Sequence, residues 1–393
     1  MKERVKEPRH LRSTVDSESL LRASRLRRVS PERVYELARH LTERDRVIAL
    51  TLYQQRILTT GQLQRLFFSS RRRAQDRLLF LYRNRVVDRF YPPLRFGQGK
   101  AAAHWLLDEA GAILVAARLG VDRKRLGWQR RDDWASHPQL AHQLETNRFV
   151  TDLIAATLAT ADHGVAVWWS SAGAAGRVND QAMRRRLVPD TGFLLSTSAG
   201  PVECLLEWDR GTETTARLTE KLVLYRTAES RLSHRRKPCS VLFVVPGPGR
   251  VETLHNAFRA FAVERDERNG LFQVSLNGSW PLLVATVPDL QRSGPLGRVW
   301  WPIDPDSREG PFTMSELPAS EGWEPIRLEQ TLGRRWRKGT PGFWDRLSPF
   351  GADPRPLSRS VSGGGPVDLR WSGIDGSMDD PDANDEREEV VSW

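Results

Sequence analysis

The sequence predicts an α/β protein made of two folded units and a polar tail, and three observations carry that reading. Residues 41–107 run as three helix-patterned segments followed by two strand-like runs around a basic loop. Residues 135–290 alternate helical segments with short apolar runs, the pattern of a mixed sheet flanked by helices. Residues 351–393 are rich in Gly, Pro, Ser and Asp and end in an acidic run, a composition that predicts disorder.

At 393 residues, with 14 Trp and 14 Phe, the chain is long enough for more than one core. No apolar stretch approaches the ~20 residues of a membrane helix. The opening MKERVKEPRHLRSTVDSES is basic but has no apolar centre, so no secretory signal is expected. Cys204 and Cys239 each lie in an apolar run without zinc-ligand spacing, as expected of reduced thiols in a cytoplasmic protein. The net charge of +11 favours an anionic partner, nucleic acid first, although an arginine-rich composition also follows from a GC-rich genome.

Residues 1–40 read as a basic N-terminal arm with a short helix near PERVYELARHL. From 41 to 120 the elements take the order of a winged helix-turn-helix. Thr42 with Asp45 starts the first helix, Thr59 or Thr60 opens the second in ILTTGQLQRLFF, and Ser69 or Ser70 caps the third. VVDRFYPP and AAAHWLL are the two wing strands. Residues 65–100 hold ten Lys/Arg against two Asp/Glu, and the surplus coincides with the third helix and the wing. Arg71, Arg72, Arg73, Gln75 and Arg77 on the helix, with Arg95 and Lys100 on the wing, are the candidate contacts to double-stranded DNA. The same architecture also serves as a protein-binding module, and a charged helix face is often only solvated.

VDRKRLGWQRRDDWASHP reads as a polar connector. The second unit, 135–290, opens with a helix over PQLAHQLETNRFVTDLIAATLAT, then a strand VAVWWSS and a loop AGAAGRVND. GFLLSTS and VECLLEW form a hairpin through Ala199-Gly200-Pro201. A helix around Lys221, a fully apolar strand CSVLFVV, a helix VETLHNAFRAFAVERD and strands LFQVSL and PLLVATVPDL complete it. Residues 291–350 are an extension that retains aromatics.

The hairpin gathers acids. Alternation along a strand puts Glu207 and Asp209 on one face, and Asp190 opens the first strand so that Glu207 returns towards it. Two or three carboxylates at a sheet edge suit Mg²⁺ or Mn²⁺, with Asp190 and Glu207 as the metal ligands. Such a metal activates water against a phosphodiester. Arg217, Lys221 and Tyr225 follow at i, i+4, i+8 on one helical stripe that faces these acids. The candidate catalytic set is therefore Asp190, Glu207, Asp209 and Lys221, with Tyr225 accessory. The residues alone allow three readings: a metal-dependent nuclease site, a degenerate non-cleaving one, or a structural ion-pair cluster.

PD, then an E-x-D strand end, then R-G-T, then K-L-x-x-Y in a helix, together resemble the replication-relaxation family of bacterial plasmid and mobile-element proteins. The resemblance spans most of 40–265, including the winged-helix front and a helix carrying His142, Glu145 and Asn147. It implies a core similar to PD-(D/E)XK (restriction-endonuclease-like) nucleases, whose helix acid, PD aspartate and strand acid correspond to Glu145, Asp190 and Glu207. Where that pattern places lysine, this sequence has Asp209, so Lys221 would have to reach in from the following helix.

Other chemistry finds little support. GQGK at 97–100 lacks P-loop spacing, and His137 and His142, five apart, do not share a helical face. The functional readings in competition are a Mg²⁺-dependent endonuclease of a plasmid or mobile element, a non-enzymatic DNA-binding protein whose core dimerises or clamps, and an adaptor for partner proteins of such an element.

Overall fold

The computed structural model describes residues 28–92, 101–179, 183, 185–232, 239–269, 280–321, 323 and 331–333, with side chains only to 262 in the helix that ends at 269. The acidic tail, most of the N-terminal arm, the strand expected at 271–276, and Arg95 and Lys100 lie outside the described residues.

α1 (Pro31–Ala38) is capped by Ser30, whose hydroxyl accepts from the Arg33 amide. α2 (Glu43–Gln55) opens with the reciprocal Thr42/Asp45 capping box expected from the sequence, and Asp45 is fully buried. β1 (Ile57–Thr59) follows, then α3 (Thr60–Phe67), capped by Thr59 and Gln62, and α4 (Arg71–Arg83), capped by Ser70. β2 (Val87–Phe90) and β3 (His104–Leu107) close an antiparallel sheet in the order β1-β3-β2. β1 is a strand where the sequence predicts only the lead-in to the second helix. Arg56 turns the chain at φ +68°, and Ile57 and Leu58 are then wholly buried opposite Leu106 and Trp105.

α5 (Glu109–Leu119) packs so tightly that a Cβ on Gly111 would stand 2.2 Å from the Val86 carbonyl oxygen. The connector beyond it folds back on this unit: Leu126 and Trp134 are buried, and Trp128 Nε1 donates to the Leu107 carbonyl at 2.9 Å. α6 (Arg131–Ala135) belongs to that segment.

α7 (Leu140–Leu158) leads into the second unit. β4 (Gly164–Trp169), α8 (Ser171–Val178), β5 (Thr191–Thr197), β6 (Gly200–Trp208), α9 (Thr215–Leu232), β7 (Cys239–Val245), α10 (Pro248–Asn269), β8 (Leu282–Thr286), α11 (Val287–Ser293) and β9 (Trp301–Pro302) follow in order. The strands form one mixed sheet, β4-β5-β6-β7-β8-β9, parallel across β6-β7-β8 and antiparallel elsewhere. α8 replaces the loop expected at AGAAGRVND, because Ser170 caps it and Ala174 and Val178 are buried. PLLVATVPDL, expected as one strand, ends at Thr286, where Thr286 caps α11 through the Asp289 amide.

Strand alternation sorts the core into two faces. Phe193, Leu195, Cys204, Leu206, Leu242 and Val244 join α7 and the first unit in one continuous cluster. Leu194, Leu205, Val241, Phe243 and Val245 pack with α8, α9 and α10 on the other face. Both cysteines are buried and unbridged. The two units meet through α7, where the buried Asn147 amide donates to the carbonyls of Gln55 (2.9 Å) and Ile57 (2.7 Å), on either side of Arg56. Gln55 Nε2 donates to the Trp168 carbonyl, and Arg65 pairs with Asp152 at 2.8 Å.

Candidate nucleic-acid interface and acidic site

The basic start of α4 follows from its cap. With Ser70 turning the chain, Ala74, Leu78, Leu81 and Tyr82 face the core, and Arg71, Arg72 and Gln75 stand exposed. Arg72 lies 3.9 Å from Asp76 one turn on, and both side chains are mostly in solvent. Arg73 is half-buried and donates to Ser69 Oγ at 3.3 Å. Arg77 is committed inward: its guanidinium donates to both oxygens of buried Asp45 and to the His40 carbonyl, and it lies over the Phe80 ring. Of the seven basic and polar contacts expected here, three are exposed on the helix, two are tied to neighbouring residues, and two lie outside the described residues.

The acidic site sits at the C-terminal end of β6. The Asp190 amide donates to the Leu206 carbonyl at 3.1 Å, and its Oδ2 accepts from the Trp208 amide at 2.7 Å, which fixes the PD turn against β6. His142 reaches Asp190 Oδ1 from α7 at 2.9 Å. Glu207 stands one step along the hairpin from the Thr191–Leu206 pair, and there Lys221 Nζ donates to its Oε2 at 3.0 Å and the Tyr225 hydroxyl donates to its Oε1. Lys221 also meets Glu213 at 3.1 Å. The i, i+4 spacing thus delivers Lys221 and Tyr225 to one carboxylate from consecutive turns of α9.

Electrostatics bind these groups together. Burial pushes the Glu207 carboxyl up to about 7, against the pull of Lys221, while the nearby Asp190 charge adds to the rise. Burial pulls the Lys221 ammonium down, but Glu207, Glu213 and Asp190 outweigh it and raise its pKa, so it stays charged. Burial also lifts the Tyr225 phenol well above its usual range, which makes it a donor and not a nucleophile. The hydrogen bond to Asp190 raises His142 against its own burial.

Asp209, expected in the catalytic set, stands apart from it. Its Oδ2 accepts from Arg250 of α10, and its Oδ1 accepts from the Gly211 amide at 2.7 Å. Glu145 lies 3.3 Å from Arg210 Nε. Glu203, two alternate positions before Glu207, is clasped by Arg177 of α8 at 2.6 and 2.7 Å. One face of β6 therefore carries Glu203, Glu207 and Asp209, each answered by a cation from a different helix.

The acids expected to hold Mg²⁺ or Mn²⁺ are already engaged by protein donors. Among the described residues no three His, Cys, Asp or Glu side chains are grouped to hold a metal. The two expected ligands have each oxygen engaged: Asp190 by His142 and the Trp208 amide, Glu207 by Tyr225 and Lys221. An octahedral ion with several waters would have to share these oxygens with those donors or displace them.

Sequence reasoning passed over His142 as a partner of Asp190 and missed Arg250 and Arg177 altogether. His142 sits on a helix 48 positions before Asp190, and Arg250 lies 41 after Asp209, so no local spacing signals either pair. A family model described as replication-relaxation matches residues 50–239, a stretch that holds the first sheet, Asp190, Glu207, Lys221 and Tyr225 but stops before Arg250. No curated protein and no solved structure matches the chain.

Proposed function

The chain belongs to the replication-relaxation family, and from that premise we propose that it binds double-stranded DNA during plasmid or mobile-element replication, through a winged-helix first unit joined to a nuclease-like core that does not cleave. The observation that carries the reading is the start of α4, where Arg71, Arg72 and Gln75 stand exposed at the position a recognition helix presents to the major groove. The order helix, strand, helix, helix, strand, strand supports the same assignment. Arginine contacts to phosphate supply affinity, and Gln75 is the side chain placed to read a base edge.

The non-cleaving core follows from the engaged oxygens of Asp190 and Glu207. Lys221 neutralises a buried carboxylate instead of facing a substrate, and Tyr225 completes its hydrogen bonds.

The test is salt-dependent binding of a duplex, followed by fluorescence anisotropy. Arg71→Ala/Arg72→Ala is expected to lower the slope of log K against log salt by about 1.8, the loss of two phosphate contacts. Binding that ignores salt would falsify the DNA reading. Supercoiled plasmid incubated with Mg²⁺ or Mn²⁺ is expected to stay intact. Nicking that disappears in Asp190→Ala and Glu207→Ala would instead restore the nuclease reading.

A further inference from the structure

At the edge of the mixed sheet the charges are sorted by depth. Glu207 is 2 % exposed and its partner Lys221 21 %. Asp209 is 3 % exposed and Arg250 11 %. Glu220, beside them on α9, is 31 % exposed, but the two arginines that hold it, Arg185 and Arg217, are 72 % and 62 % exposed. Arg210, in the loop that leaves β6, is nearly half exposed above Glu145. The cation is the outer partner for Glu207, Asp209 and Glu220, Arg210 and Glu145 are about equally exposed, and only Glu213 (30 %) lies outside its partner Lys221 (21 %). A ligand arriving from solvent at Glu220 meets the guanidinium groups of Arg185 and Arg217 first, with the carboxylate behind them.

That order is the reverse of a cation site, which needs carboxylate oxygens at its mouth. It suits an anion. We infer that the rim made by Arg185, Arg210 and Arg217 binds the phosphodiester backbone of duplex DNA directly, with no metal between protein and phosphate. The inference rests on the DNA-binding reading and adds a second contact surface to it.

Two further observations favour a nucleic-acid backbone as the occupant. The sequence contains two arginine triplets, 71–73 at the start of α4 and 184–186 just before Pro189-Asp190. One therefore lies in each unit, and Arg185 and Arg186 of the second are exposed. The two regions are also joined by one helix. On α7, Asp152 holds Arg65 of the first unit while His142 holds Asp190, and ten residues of helix span roughly 15 Å. The α7 anchors of the two regions therefore lie within one turn of B-DNA, ~34 Å, of each other. The rim residues are all arginines, which fits phosphate contact and not base stacking.

The experiment is anisotropy on a labelled duplex in EDTA, over a range of salt, with full-length protein. Arg210→Gln/Arg217→Gln is expected to reduce the slope of log K against log salt by about 1.8 and to weaken binding about tenfold near 0.2 M salt. Arg185→Gln/Arg217→Gln, at more exposed positions, guards against misfolding, and thermal melting checks both variants. Unchanged slope and affinity in both, alongside a loss in Arg71→Ala/Arg72→Ala, would overturn the rim site and leave the DNA-binding reading standing. Salt-independent wild type would overturn both. Affinity that appears only with added Mg²⁺ and vanishes in Asp190→Asn would overturn the inference in favour of a metal bridge.

Discussion

At the start of α4, Arg71 and Arg72 stand in solvent, and the ion pair of Arg72 with Asp76 spans 3.9 Å between two exposed side chains. At the C-terminal end of β6, Lys221 closes on a Glu207 that is almost wholly enclosed, and Tyr225 takes the remaining oxygen. Similar charges do different work because of what lies beneath them. The helix start has its apolar residues directly under it, so its cations gain nothing from pointing inward. The strand end has carboxylates under it, and burial makes each of them demand a donor. Arg77 shows that the distinction is local and not one of domain: six residues beyond Arg71 on the same helix, it turns inward because Asp45 is buried there.

The largest test of this contrast is Glu207→Ala. It leaves the Tyr225 hydroxyl without its acceptor and the Lys221 ammonium with Glu213 alone, and breaking a buried pair from one side costs about 3–5 kcal/mol. Urea unfolding should show that loss. Adding Lys221→Met to Glu207→Leu should recover much of it, because a matched apolar replacement removes both desolvation costs together. A Glu207→Ala protein as stable as wild type would mean that water enters this edge freely, and the two regions would no longer differ.

The clasp between the regions comes next. Asn147→Ala deprives the Gln55 and Ile57 carbonyls of their shared donor beside the strained Arg56 turn, at a cost of about 1–3 kcal/mol. Differential scanning calorimetry would report it as a lowered melting temperature. It should also shift the first unit and the sheet together, since they share one apolar cluster.

A third test uses pH. Glu207 holds its proton more tightly in the folded chain, at about 7 against 4.5. His142 is likewise raised above 6.5, first by its bond to Asp190. Both groups bind more protons folded than unfolded, so both add stability on the acid side and lose it as pH rises. The Glu207 contribution is complete below 4.5 and fades towards 7, and that of His142 is complete below 6.5 and fades above it. Melting curves of Glu207→Gln should therefore differ from wild type in slope between pH 4.5 and 7. Those of His142→Gln should differ at higher pH. Parallel curves would place both groups in ordinary solvent.

These contrasts also mark what the sequence could convey. Caps are local: Thr42 with Asp45 was legible in the sequence, and Thr59 and Ser70 were each one of two adjacent candidates. Lys221 was legible as the group that reaches the acids, because helical periodicity alone puts it on a stripe with Tyr225. β1 was not: Ile57, Leu58 and Thr59 between helices form a strand only because Leu106, Trp105 and His104, nearly fifty positions on, offer them a ladder. α8 was not, since its glycines and alanines read as a loop until Arg177 finds Glu203. The depth order of the charges was invisible for the same reason. Sequence shows that Asp209, Arg210 and Lys221 are near one another, but exposure belongs to the assembled sheet.

The smallest expected effect is the most exacting for the comparison. Arg72→Ala removes the Arg72–Asp76 pair, yet an exposed i, i+4 pair at 3.9 Å contributes only about 0.3–0.5 kcal/mol. Its melting temperature should match wild type, while one lost phosphate contact should lower the salt slope of DNA binding by about 0.9. That separation is the signature of a cation placed for a partner outside the chain. If Arg72→Ala instead lowered stability by more than about 1 kcal/mol, the pair would have to be shielded from solvent. The start of α4 would then be a structural ion pair of the same kind as Lys221 and Glu207, and the exposed arginines would lose their claim on DNA.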